Sequence, residues 1–277
     1  MLVFAYDGSL NGDWIAHYAV RFAHAADDHR LRLLHVHERA VADELAGRLA
    51  RIAAECRRLD VVLDTVVEAA AGRDVATRLL ELLPSAPDTQ LVAGTRAQPR
   101  DLCYLADTVA ATLLARAPCA VVALHVVHPA MLGQPDSLLL PFRRDATVPL
   151  AVLPLLRLLA PALREVHVLV VEEIARLRYR LIGTRGARRR IELARARAQA
   201  IEGELLDALG PVAWRSDAGA TLSDDIARET LAWAARLRAR LVALDASHLP
   251  ARLAYGDPLE QLLRDASCDV ALYRAPR

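Results

Sequence analysis

The residues able to do chemistry fall in a few short stretches. Asp7-Gly8-Ser9 follows an apolar run at residues 2–6. Gly94-Thr95-Arg96-Ala97 follows another at residues 90–93, and the chain runs on to Asp107-Thr108-Val109. Each stretch lies where a strand gives way to a helix. A helix start presents backbone N–H groups and a positive dipole end, so its chemistry is anion binding, here with Arg96 and Thr108 as side-chain donors. Arg143-Arg144 forms a second basic turn, which suits either a small anion or a solvated loop. Residues 176–190 hold seven Arg. They can neutralise phosphates while Tyr179 stacks on a base, or they can form a solvated, ion-paired helix start beside a mobile loop. The second is the expectation, because Glu192, Glu202, Glu204 and Asp207 follow among Arg195 and Arg197. A nucleic-acid partner is therefore not expected. His35 and His37 share one face of a strand, but no third metal ligand accompanies them, so no metal is assigned. His17, His24, His125 and His128 read as surface or packing residues. The chain contains no Lys, which excludes a Schiff base and the Lys of a Walker loop. No Ser sits in a GxSxG elbow and no Cys has an evident His partner, so no catalytic residue is assigned and no enzyme is expected.

Those stretches need elements to hold them. In the first half, short apolar runs at residues 2–6, 31–37, 61–67, 90–93 and 120–127 read as strands. Between them lie helical patterns. Ile15, Tyr18, Ala19, Phe22 and Ala26 share one helical face, and Val41, Leu45, Leu49, Ile52 and Cys56 share another. Helices at 74–83 and 105–116 complete an alternating β-α order. Continuous apolar strands linked by helices indicate an α/β fold with a parallel sheet covered on both faces. An open sheet of that kind binds ligands beyond the carboxyl ends of its strands, where strand order reverses.

The second half repeats the first. Residues 2–6 correspond to 138–142, 31–38 to 166–173, and Leu91-Val92-Ala93 to Leu241-Val242-Ala243; Ala117-Pro118-Cys119 recurs as Ala266-Ser267-Cys268. An insertion falls between the second and third strands of the second copy, where the Arg-rich stretch lies. The chain is read as a tandem duplication, with a first domain at 1–128, a linker at 129–136 and a second, degenerate domain at 137–277. Residues 148–163 are apolar almost all round, so a helix there is expected to be buried between layers or domains. Residues 176–186 are expected to be a loop, because Gly183 and Gly186 break local order.

At LVFAYDGS and LVAGTRAQPRDLCYLADTVAATLLARAPCAVVAL the sequence resembles the universal stress protein family, and the resemblance covers nearly the whole chain as two copies. It implies two tandem flavodoxin-like domains, each a five-stranded parallel sheet of order 3-2-1-4-5, paired through their last strands. In a tandem chain that pairing is an intramolecular pseudo-dimer, with a homodimer as a further option. In nucleotide-binding members Gly, two residues, Gly, nine residues and then Gly-Ser or Gly-Thr wrap the phosphates. The matching positions here are Gly94, Ala97, Asp107 and Thr108, with Asp7 on the nucleoside side. Gly8, Ser9, Arg96 and Val109 complete the candidate set. The spacing is kept and two of the three glycines are not. Ala97 adds a Cβ at an amide approach. Asp107 puts a carboxylate where an anion belongs, and two like charges 4 Å apart repel by about 4 kcal/mol at an effective dielectric of 20. A micromolar site holds only about 8 kcal/mol in all. The second half departs further: Arg143 and Arg144 stand at Asp7 and Gly8, and Gly256-Asp257 is the sole echo of the final pair. The resemblance thus implies a non-catalytic stress-response sensor or adaptor with a degenerate nucleotide motif and an unknown protein partner. No cofactor is expected. The alternatives are an ATP-binding switch or weak ATPase using Asp7, Gly94, Arg96 and Thr108, and a cytosolic regulator of a membrane ion transporter.

Composition agrees with these limits. Hydrophobic residues make up 54% of the 277 and aromatic residues 4%, so two cores can be built from Ala, Leu and Val. A net charge of +1 gives no whole-chain attraction to nucleic acid or an anionic membrane. Twelve Gly, against about 19 at a typical ~7% usage, is low for a phosphate-cradling protein. Cys56, Cys103, Cys119 and Cys268 follow no zinc spacing, and reduced thiols are expected. Residues 2–6 lack the basic lead of a signal peptide, and residues 148–163 are too short and interrupted to span a bilayer. A cytoplasmic protein without membrane insertion is expected.

Overall fold

The computed structural model describes residues 1–38, 44–84, 88–95, 104–105, 108–144, 149–175, 182–247 and 258–276. The first half contributes β1 (Leu2–Ala5), α1 (Leu10–Ala25), β2 (Arg30–His37), α2 (Glu44–Arg58), β3 (Val62–Ala69), α3 (Val75–Leu82), β4 (Gln90–Gly94), α4 (Val109–Arg116) and β5 (Ala120–His125). The second contributes β6 (Ser137–Arg143), α5 (Leu153–Leu159), β7 (Glu165–Glu173), α6 (Gly183–Leu209), β8 (Arg215–Ser223), α7 (Ile226–Leu237), β9 (Leu241–Asp245), α8 (Pro258–Asp265) and β10 (Asp269–Arg274). The segment between β5 and β6 carries a 3-10 turn at Pro129–Met131.

All ten strands form one sheet in the order β3-β2-β1-β4-β5-β10-β9-β6-β7-β8. Each half therefore has the order 3-2-1-4-5 from its outer edge inward. Neighbours within a half run parallel, and the halves meet antiparallel through β5 and β10, with Val270 opposite His125 and Arg274 opposite Val121. Short Val-, Leu- and Ala-rich runs suit this arrangement, because a parallel strand is buried on both faces. The outermost strand β3 alternates exposed and half-buried positions instead, as only one neighbour covers it.

Two apolar cores lie on opposite faces of the sheet, and each runs through both halves. One joins Phe4, Ile15, Phe22 and Ile52 of the first half to Leu140, Leu156, Ile201 and Leu205 of the second. The other joins Val3, Leu79, Leu105 and Leu113 to Leu169, Leu262, Leu263 and Leu272. The expected apolar helix at 148–163 is shorter than the pattern suggested: a 3-10 turn at Pro149–Val152 leads into α5. The helix ends at Leu159 with Ala160 as its cap, just before Pro161, which lacks the N–H a helix interior needs. Its burial between the halves is as expected, since α5 packs on α1, and Val152, Leu155 and Leu156 are buried although Leu150 is exposed.

The Arg-rich stretch requires a correction. Gly183 opens α6 with φ +60 and Gly186 lies in its first turn, so both belong to the helix start and not to a loop; a glycine within a helix costs about 1 kcal/mol relative to Ala. Residues 176–181, Tyr179 among them, lie outside the described residues. Much of the insertion goes into helix length, because α6 has 27 residues where α2 has 15.

The seam between the halves carries a buried polar contact at Asp269. Asp269, fully buried, accepts hydrogen bonds from the Tyr18 hydroxyl at 2.6 Å and from the backbone N–H groups of Val127 and His128 at 2.7 and 2.8 Å. Burial still pushes its carboxyl above the usual value, and burial likewise raises the Tyr18 phenol.

Candidate functional site

The loop after β1 is built from its own side chains. The Tyr6 N–H still donates to the Leu34 carbonyl, and the chain then turns through Gly8 at φ +75. A Cβ at Gly8 would lie 3.2 Å from the His35 ring, so both conformation and space call for glycine. Ser9 is the N-cap of α1, its hydroxyl oxygen accepting from the Gly12 N–H at 3.0 Å. The Ser9 N–H and hydroxyl donate to Asp7 Oδ1 at 2.9 and 2.7 Å, so the Asp7 carboxylate braces this turn. Beneath it, the Tyr6 hydroxyl donates to Asp13, which also pairs with Arg48. Burial and then Asp13 hold the Tyr6 phenol well above its usual value, which keeps it a donor.

Gly94 ends β4. A Cβ there would meet Ile15 Cδ1 at 2.3 Å, so the glycine admits α1 against the sheet. The Asn11 side chain donates to the Thr95 carbonyl at 3.3 Å and so joins the loops after β1 and β4. Thr108 is the N-cap of α4: its hydroxyl accepts from the Ala111 N–H at 3.1 Å and donates to the Leu105 carbonyl at 2.8 Å. This cap places the helix start at Val109 and not at 105 as periodicity suggested, because the threonine takes up the first turn's donor. Val109 and Leu10, the first residues of α4 and α1, are exposed. Arg96, Ala97 and Asp107 lie outside the described residues. The structure thus brings the β1 and β4 loops together, while the Thr108 hydroxyl serves a helix cap.

In the second half a cleft of about 440 Å³ is lined by Arg143, Arg144, Val171, Glu172 and Glu173. Glu172 is buried and accepts from Arg144 at 3.0 Å and from Arg190 at 2.7 Å; Arg143 pairs with Glu173. The basic turn is therefore charge-paired, neither an open anion cradle nor a merely solvated loop. Sequence reading missed Glu172, Glu173 and Arg190. Two consecutive Glu at the end of an apolar strand, beside an Arg pair ending the neighbouring strand, was the available signal. Gly256 and Asp257 lie outside the described residues.

His35 Nδ1 lies 2.9 Å from the Tyr6 carbonyl, and its ring stacks on His37 at 6.2 Å. Among the described residues no group of His, Cys, Asp or Glu has an arrangement that could hold a metal. Cys56, Cys119 and Cys268 carry free buried thiols, and burial pushes those of Cys56 and Cys268 up to about 11 and about 12. Among the described residues no helix is long and apolar enough to cross a membrane.

No protein-family model and no curated sequence matches the chain. Solved structures do match in shape. A universal stress protein of Archaeoglobus fulgidus DSM 4304 shares 14% identity, with a TM-score of 0.64 over 99% of this chain and 96% of that one. A functionally unknown protein of Pseudomonas aeruginosa PAO1 shares 17% identity, with a TM-score of 0.56 over 99% and 92%. The cytoplasmic domain of a prokaryotic cation chloride cotransporter shares 12% identity, with a TM-score of 0.58 over 99% and 95%. The fold is that of a tandem universal stress protein, two flavodoxin-like units in one sheet.

Proposed function

We propose that this protein is a tandem universal stress protein acting as a cytoplasmic, non-catalytic sensor or adaptor that signals through a protein partner. The observation that carries the reading is the internal use of the candidate ligand groups. The Asp7 carboxylate braces Ser9, Gly94 makes room for Ile15, and Thr108 caps α4. A nucleotide would have to compete with Ser9 for the Asp7 carboxylate and with the α4 cap for the Thr108 hydroxyl. The test is mass spectrometry of small molecules released by denaturing the purified protein. Absence of a stoichiometric nucleotide supports the reading; copurified ATP would favour the switch or weak ATPase through the first half.

One observation favours a second reading. Likeness over nearly the full length to the cytoplasmic domain of a cotransporter makes regulation of a membrane ion transporter the natural form of an adaptor role. Recovery of a transporter with the protein from detergent-solubilised membranes would support it.

A further inference from the structure

Glu260 is the third residue of α8, in the second half, and is buried. An acidic side chain in a helix's first turn commonly bonds back to its own helix start. This one bonds into the other half. Its Oε2 accepts from the Tyr104 N–H at 2.8 Å and its Oε1 from the Leu105 N–H at 2.7 Å. Charge-assisted bonds of this length are the strong kind, and burial strengthens them further. The contact continues inward. The Leu105 carbonyl accepts from the Thr108 N–H at 3.1 Å and from its hydroxyl at 2.8 Å, and that hydroxyl caps α4 through Ala111. Tyr104 is held a second time by edge-to-face contact with His125, 4.7 Å between ring centres. One hydrogen-bonded chain therefore runs from a carboxylate of the second half to Thr108 of the first.

Both α4 and α8 have eight residues, so Glu260 matches Ala111, the third residue of α4. Alanine has no acceptor to offer the second half.

We propose that Glu260 is a positioning residue through which the degenerate second half fixes Tyr104 and Leu105, and through them Thr108 and the start of α4, in the first half. The duplication would then have kept one half's ligand end and turned the other's last helix into its clamp. Only the importance attached to Thr108 rests on the functional reading above; the clamp needs no bound ligand.

The test is amide hydrogen exchange on the full chain, wild type against Glu260→Ala and Glu260→Gln. The clamp predicts exchange at Tyr104 and Leu105 at least tenfold faster in Glu260→Ala, with faster exchange at Ala111 and unchanged rates at Val270 and Leu272 in β10. Glu260→Gln, which keeps one accepting oxygen, should fall between, and carries the test if the alanine variant does not fold. Unchanged exchange at Tyr104 and Leu105, or acceleration spread equally over β5, β10 and α4, would overturn the proposal. An ATP titration of the same variants separates the two readings. Loss of protection without any ATP binding leaves the clamp standing and the switch reading without support.

Discussion

Asp269 and His125 face the same seam and respond to pH in opposite senses. Asp269 has three donors, and removing its side chain leaves buried groups unpaired; Asp269→Ala should cost about 3 kcal/mol in urea unfolding at pH 7. Because burial raises its carboxyl, this group's contribution to stability is complete below its usual value of 3.8 and is lost as pH rises through the raised value. Asp269→Asn abolishes the ionisation and keeps an accepting oxygen for Val127 and His128, so it should cost far less than alanine. His125 is the reverse case: burial lowers it from 6.5 to about 4, and its Nδ1 is buried with no hydrogen-bond partner among the described residues. The folded state resists protonation that the unfolded state accepts, so this contribution is complete above pH 6.5 and is lost as pH falls toward 4. At about 1.4 kcal/mol per pH unit, the full loss is roughly 3 kcal/mol. Unfolding midpoints at pH 7.5 and 5 should separate strongly in the wild type and less in His125→Gln.

At the scale of elements, glycine and threonine at the candidate site have stability roles that a titration of stability can expose. Gly94→Ala should destabilise by about 1–3 kcal/mol through overpacking against Ile15, and Ile15→Val should recover part of that loss. Thr108→Ala should cost about 1 kcal/mol as a lost cap, whereas Thr108→Ser should be nearly silent. Thermal melts of the four variants check both. The strands were legible in the sequence because apolar runs and their recurrence report directly on a doubly covered sheet, whereas the strand order and the pairing of the halves followed from the resemblance to a family. Helix ends were less so. Periodicity extended α4 back to 105 because Leu105 is apolar, yet Leu105 is buried in the turn before the cap. Gly183 and Gly186 read as loop residues because glycine weakens local order, yet they open α6, whose length is held by the buried stripe of Ala194, Ala198, Ile201 and Leu205 further along. The Asp7 brace, the Glu172 pairs and the Glu260 contact were not legible, since each depends on which elements meet in space.

Across the whole molecule, both cores pass through the seam, so each half buries part of its apolar surface against the other. Two-domain chains often unfold in steps. Here a single transition is expected, with Trp14 of the first half and Trp214 of the second reporting the same midpoint by fluorescence after replacement of the other tryptophans. Leu156→Ala, in α5 against α1, should lower both midpoints together at a cost of about 2–5 kcal/mol. The central proposal is that the first half keeps the spacing of a nucleotide-binding loop while the negative charge of Asp107 and the Cβ of Ala97 oppose the ligand. Calorimetric titration of ATP into the wild type and the Asp107→Gly, Ala97→Gly double variant tests this most directly. The account predicts weak wild-type binding and at least a tenfold gain, about 1.4 kcal/mol, in the double variant. Tight wild-type binding that disappears on Asp107→Gly would contradict it, because Asp107 would then be holding the ligand.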